Sequence, residues 1–119
     1  MSEVAKVMTR ALVGVGPFTL APEAERVAVA SGVDHLLVLD CDDLVGVASV
    51  SALHCAGTSA TVSDCMCVPL RTVKASASVE EAAQIMRESH LACLPVVAGG
   101  LILGLVTMAQ LGATLASRH

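Results

Sequence analysis

The chain has 119 residues, enough for a domain of ordinary size, and is 55% hydrophobic and 15% charged with a formal charge of −4. That balance excludes a disordered tail, whose signature is low hydrophobicity and high charge. It also excludes a general nucleic-acid binder, which needs a basic face to neutralise phosphates. Phe18 is the only aromatic residue, so the apolar mass is mostly Ala, Val and Leu. A membrane segment or a buried interface therefore has to be tested.

In chain order, the first predicted element is a helix from about Pro22, tolerated in a first turn, to Ser31-Gly32. Two hairpin strands follow, His35–Leu39 and Leu44–Ala48, joined by Asp40-Cys41-Asp42-Asp43, and a second helix covers about Val50 to Cys55. Leu70 to Val73 is a short apolar strand. Ser78 is the expected N-cap of the next helix, with Glu81 three residues on completing a capping box. Val79, Ala82, Ala83, Met86 and His90 then recur at helical spacing. Cys93 to Val97 and Leu101 to Val106 are strands linked by Ala98-Gly99-Gly100, a hairpin signal. Thr107 begins a final helix through Met108, Leu111 and Leu115.

This second series repeats the first. An ungapped offset of 58 residues aligns Val4 with Val62, Met8 with Met66, Ala24 with Ala82, Leu36 with Leu94, Val38 with Val96, Gly46 with Gly104 and Leu53 with Leu111. Other pairs along the whole length are identical or conservative. The chain is thus two β-α-β-β-α units, residues 1–57 and 58–119. The expected class is α+β, with the two sheets packed face to face because neither unit buries its sheet alone.

The repeat also answers the membrane question. No formal charge falls between Glu88 and Arg118, but Pro95 and Gly99-Gly100 cut that stretch into pieces too short to span a bilayer. Its counterpart in the first unit carries Asp34, Asp40, Asp42 and Asp43. No membrane span is expected. With no signal peptide read at the N-terminus and an odd count of five cysteines, the chain reads as cytoplasmic with free thiols.

The order V-x-x-x-M, T-V, S-V-E-E-A-A-x-x-M, L-P-V-V, a hairpin turn and G-L-V-T-x-x-x-L resembles the CBS domain, named for cystathionine β-synthase. Two in tandem resemble a Bateman module. The resemblance implies pseudo-twofold symmetry, two clefts between the repeats and a homodimer. It also implies adenosine ligands (AMP, ADP, ATP or S-adenosylmethionine) whose binding regulates a partner protein. By position, it places a cleft of the second repeat at Thr72, Val73, Leu94, Pro95, Val96, Thr107 and Gln110. Arg71 and Lys74 flank its first strand and could meet phosphates. A weaker cleft of the first repeat falls at Gly14, Val15, Leu36, Leu37, Val38 and Ser49, with no basic group beside it. Val73, Leu94 and Val96 read as core whether or not a ligand binds.

The sequence departs from the family at one position. The family's ribose-binding Asp falls three residues after the Ser/Thr of G-x-x-S/T, and here those positions are Gln110 and Ala52. A lost charge-assisted hydrogen bond is worth about 1.5–3 kcal/mol; Gln110 can still hydrogen-bond a ribose as donor and acceptor and Ala52 cannot, so the second repeat is the stronger site. The alternative is a ligand-free dimerisation module with degenerate nucleotide sites.

The remaining constellations point to no chemistry. Asp40-Cys41-Asp42-Asp43 lacks the ligand ladder of a calcium loop and reads as a solvated turn. Cys65-Met66-Cys67 offers soft donors, but Met66 matches Met8 and reads as structural. His35, His54, His90 and His119 lack the partners of hydrolase or zinc chemistry. No enzyme activity, catalytic residue or metal site is expected.

Overall fold

The computed structural model of the protein describes residues 3–67, 71–91 and 93–116. One sheet is ordered β1 (Gly14–Val15), β2 (His35–Asp40), β3 (Asp43–Ser49), with α1 (Ala21–Ser31) before β2 and α2 (Val50–Cys55) after β3. A four-residue helix, α3 (Val62–Cys65), follows. The other sheet is ordered β4 (Val73–Lys74), β5 (Cys93–Ala98), β6 (Leu101–Thr107), with α4 (Val79–Ser89) before β5 and α5 (Met108–Ala116) after β6. In both sheets the first strand is parallel to the middle one and the hairpin is antiparallel. The class is α+β, with the predicted element order in both repeats. The first strand of the second repeat is shifted: pairing begins at Val73, and Leu70 lies outside the described residues. No helix among the described residues is long and apolar enough to cross a membrane.

The 58-residue period is visible in geometry. Each hairpin breaks register at the same place, between Val38 and Leu39 and between Val96 and Val97. Each turns through two residues of positive φ: Cys41 (51°) and Asp42 (70°) in one, Gly99 (56°) and Gly100 (79°) in the other. Positive φ at both central positions is the type I′ turn whose twist matches the flanking strands. The identities are mostly core. Ala24, Leu36, Val38, Leu53 and Val62 are at most 1% exposed, as are Ala82, Leu94, Val96, Leu111 and Val4.

Ser78 is the N-cap of α4 as expected, its Oγ accepting from the Glu81 N–H at 3.1 Å, which is one half of the predicted box. A full box stands at Thr107 and Gln110, whose bonds run both ways. Helix ends differ between the repeats. α1 stops at Gly32 in the left-handed region (φ 71°), whereas α4 stops at His90 with φ 56°. A residue with a Cβ pays about 1–2 kcal/mol to sit there. His90→Gly is therefore expected to raise stability by about 1 kcal/mol, and Gly32→His to lower it similarly, both read by urea unfolding.

Sequence repeats and packing units are offset. One unit runs from Leu12 and includes α3; the other joins the segment ending at Ala11 to the chain from Arg71. Each repeat's leading segment thus packs with the other repeat's sheet. In one unit Val4 N–H donates to Ala77 O (2.9 Å) and Thr9 N–H to Leu105 O (2.7 Å). In the other, Val62 N–H donates to Thr19 O (2.9 Å) and Cys67 N–H to Val47 O (2.9 Å). All four partners keep the offset of 58. Val4 and Met8 accordingly belong to the core of Leu94, Val96 and Leu111, while Val62 belongs to that of Leu36, Val38 and Leu53.

Candidate functional site

Strand register decides which predicted residues meet. In the second repeat, Cys93 lies opposite Thr107 and Leu94 opposite Val106, while Val73 lies beside Val96. Thr72, the start of β5 and the Thr107–Gln110 turn therefore gather at one end of the sheet. Lys74 lies beside Val97, four residues further along β5, or about 13 Å at ~3.3 Å per residue. The structure does not bring Lys74 to this end. Arg71 is at this end, but its Nη1 donates to Ser89 Oγ at 3.1 Å, where α4 finishes.

Burial separates contact groups from support. Val73, Leu94 and Val96 are at most 4% exposed and belong to the core beneath the helices. Pro95 is fully buried as well. Thr72 is exposed, and Thr107 and Gln110 are half-buried. These three are the uncharged residues of the predicted second-repeat set with polar side-chain atoms near solvent.

Gln110 is committed within the fold. Its Oε1 accepts from the Thr107 N–H at 2.8 Å, and its own N–H donates to Thr107 Oγ1 at 3.2 Å. This T-x-x-Q box satisfies donors that the start of α5 would otherwise leave open. A backbone N–H can only donate, which fixes the amide orientation, so Nε2 is the donor to Thr9 Oγ1 at 2.6 Å. Thr9 therefore belongs to this end of the sheet, though it lies 101 residues from Gln110. Both hydroxyls accept from Gln110, and each keeps a proton to donate elsewhere.

The first repeat lacks most of this. Gly14 and Val15 pair with Leu37 and Val38. Leu36 and Val38 are core, and Leu37 is 4% exposed. Ser49 Oγ caps α2 by accepting from the Ala52 N–H at 3.2 Å, but Ala52 has no side chain to reciprocate. Cys67 takes the place of Thr9. His35, opposite Ser49, is the additional polar group here.

Burial lowers the pKa of His35 below its ordinary 6.5, with the Asp34 carboxylate pulling it back up. Well above 6.5 neither folded nor unfolded chain protonates it. Below 6.5 the unfolded chain takes up the proton first, so stability falls on acidification. Urea unfolding of the wild type is thus expected to weaken from about pH 7.5 to pH 5, and less so in His35→Asn. An equal pH dependence in both proteins would contradict this assignment.

Cys65 and Met66 are engaged within the fold. Cys65 Sγ donates to the carbonyls of Val62 (3.6 Å) and Thr61 (3.7 Å). Burial, then Asp64, raises its pKa, which suppresses the reactive thiolate. Met66 Sδ would lie 2.8 Å from a Cβ on Gly46, as Met8 Sδ would from one on Gly104. No cluster of three or more His, Cys, Asp or Glu able to hold a metal occurs among the described residues.

Comparison with known proteins adds the following. The family model described as the CBS domain matches residues 4–54 and again residues 62–111. No curated protein matches the chain. A CBS-domain protein from Burkholderia ambifaria superposes with a TM-score of 0.85 at 23% identity, covering 99% of this chain and 96% of its own. The CBS domain pair of MJ0100, solved with 5′-methylthioadenosine and S-adenosyl-L-methionine, gives 0.85 at 18% identity, covering 100% and 99%. At these identities the likeness is one of fold. CBSX2, an Arabidopsis thaliana CBS-pair protein, was solved in complex with AMP; that structure is 28% identical, with a TM-score of 0.75 and 100% of both chains covered.

Proposed function

The chain belongs to the CBS domain family, and from that premise we propose that it is a regulatory CBS-pair module that binds an adenosine compound. The observation that carries this reading is the likeness to CBSX2 in complex with AMP, which extends over the whole of both chains. The ligand class is AMP, ADP, ATP or S-adenosylmethionine. The second repeat is the stronger site, because Thr9, Thr72 and Thr107 put hydroxyls at one end of its sheet. The first repeat offers Ser49 and His35 there, with Ala52 and Cys67 at the remaining positions.

On this reading the protein catalyses no reaction. It acts as a homodimer in the cytoplasm, and occupancy alters how it engages a regulated partner protein. A ligand shifts such a module only by binding its two arrangements with different affinity. A second reading, a ligand-free interaction module, is favoured by one observation: the Gln110 amide is spent on Thr107 and Thr9.

Thermal shift separates the two. Wild type is melted with AMP, ADP, ATP, S-adenosylmethionine, NAD and the guanine counterparts. A ligand at a hundred times its dissociation constant adds about 2.7 kcal/mol. The sensor reading expects a clear rise with at least one adenosine compound. Unchanged melting across the panel decides for the ligand-free module.

A further inference from the structure

The two repeats differ in character at the opposite end of their sheets, away from Thr107 and Ser49. In the second repeat this end is a hollow of about 470 Å³ lined by Lys74–Ser76 and Val97–Gly100. Its turn is Gly99-Gly100, without side chains, and Leu101 beside it is 67% exposed. Lys74 is its charged group.

At the corresponding positions the first repeat carries Gly16-Pro17-Phe18 and the turn Asp40-Cys41-Asp42-Asp43. Phe18, the only aromatic residue of the chain, is 80% exposed, and Leu20 is 46% exposed. Asp40, Asp42 and Asp43 are all exposed. The first repeat thus presents an aromatic knob and a carboxylate-bearing turn, and the second an apolar hollow edged with a lysine.

We propose that the two surfaces bind each other between copies. Phe18 of one copy enters the Lys74–Gly100 hollow of a second, with its acidic hairpin turn facing Lys74. Such a contact joins unlike surfaces, the knob of one copy and the hollow of another. The patch is small, which makes the association weak and concentration-dependent. Its charged edge is screened by salt.

Sedimentation velocity over a concentration series tests this with wild type, Phe18→Ser and Lys74→Glu. Both sites are exposed, so both variants should keep the wild-type melting temperature. Wild type is expected to grow progressively with concentration, less so with added salt, and each variant to associate at least about tenfold more weakly. An equimolar mixture of the two variants should regain pairing, because one keeps the hollow and the other the knob. The proposal is overturned if wild type does not grow with concentration, if the variants grow as wild type does, or if the mixture behaves as the sum of its components.

Discussion

Gly104→Ala is expected to destabilise the protein by about 1–3 kcal/mol, the usual cost of forcing atoms into a filled site. A Cβ on Gly104 would stand 2.6 Å from the Thr9 carbonyl oxygen and 2.8 Å from Met8 Sδ. The sulfur can swing away, but the carbonyl cannot. Thr9 is pinned by two backbone bonds to Leu105, 2.7 Å and 2.9 Å long. At Gly46 the nearest atom is Met66 Sδ at 2.8 Å, and the Cys67 carbonyl stands back at 3.3 Å. Gly46→Ala should therefore cost less. Gly112 in α5 meets nothing within 4 Å, and alanine there should gain up to ~1 kcal/mol from helix propensity. Urea unfolding of the three variants should rank them in that order, with Gly104→Ala weakest. Equal midpoints for Gly104→Ala and Gly112→Ala would refute the account of the crossing segment.

Gln110→Ala carries the second large effect. It removes the acceptor of the Thr107 N–H, a cap contribution of about 1 kcal/mol, and the bond to Thr9, worth about 1 kcal/mol more. The sum of roughly 2 kcal/mol should divide in a double-mutant cycle. Thr9→Val and Gln110→Ala share one bond, so their combined cost should fall short of the sum by about 0.5–1.5 kcal/mol. Strict additivity would mean that the 2.6 Å contact contributes nothing. Because Gln110→Ala weakens the free protein, its effect on a ligand must be read as the change in Tm on ligand addition.

The sequence made the elements legible because the repeat samples each of them twice. A weak hairpin signal at Asp40–Asp43 is secured by the stronger Gly99-Gly100 turn 58 residues on. Core identities such as Leu36 with Leu94 mark the same buried position in both sheets. What the offset could not reveal is which copy packs against which. Val4 and Met8 align with Val62 and Met66, yet each pair sits in the core of the other repeat. Short-range patterns carry no information about contacts of that span.

The candidate site shows the same division. Thr107 was legible as the start of a helix, and the T-x-x-Q signature of a capping box stood in the sequence as well. The family pattern puts Gln110 at a position open to a ligand, and the fold occupies its amide. Thr9 was invisible because it reaches the site only through the exchanged leading segment. Lys74 neighbours Thr72 in sequence, but β4 carries it toward the far end of β5.

The most direct test of the central claim is isothermal titration calorimetry with AMP on wild type, Thr107→Val and Ser49→Val. The account predicts saturable binding to wild type, binding at least about tenfold weaker for Thr107→Val, and affinity near wild type for Ser49→Val. No saturable heat with AMP, ADP, ATP or S-adenosylmethionine would contradict it, as would binding that depends on Ser49 and not on Thr107.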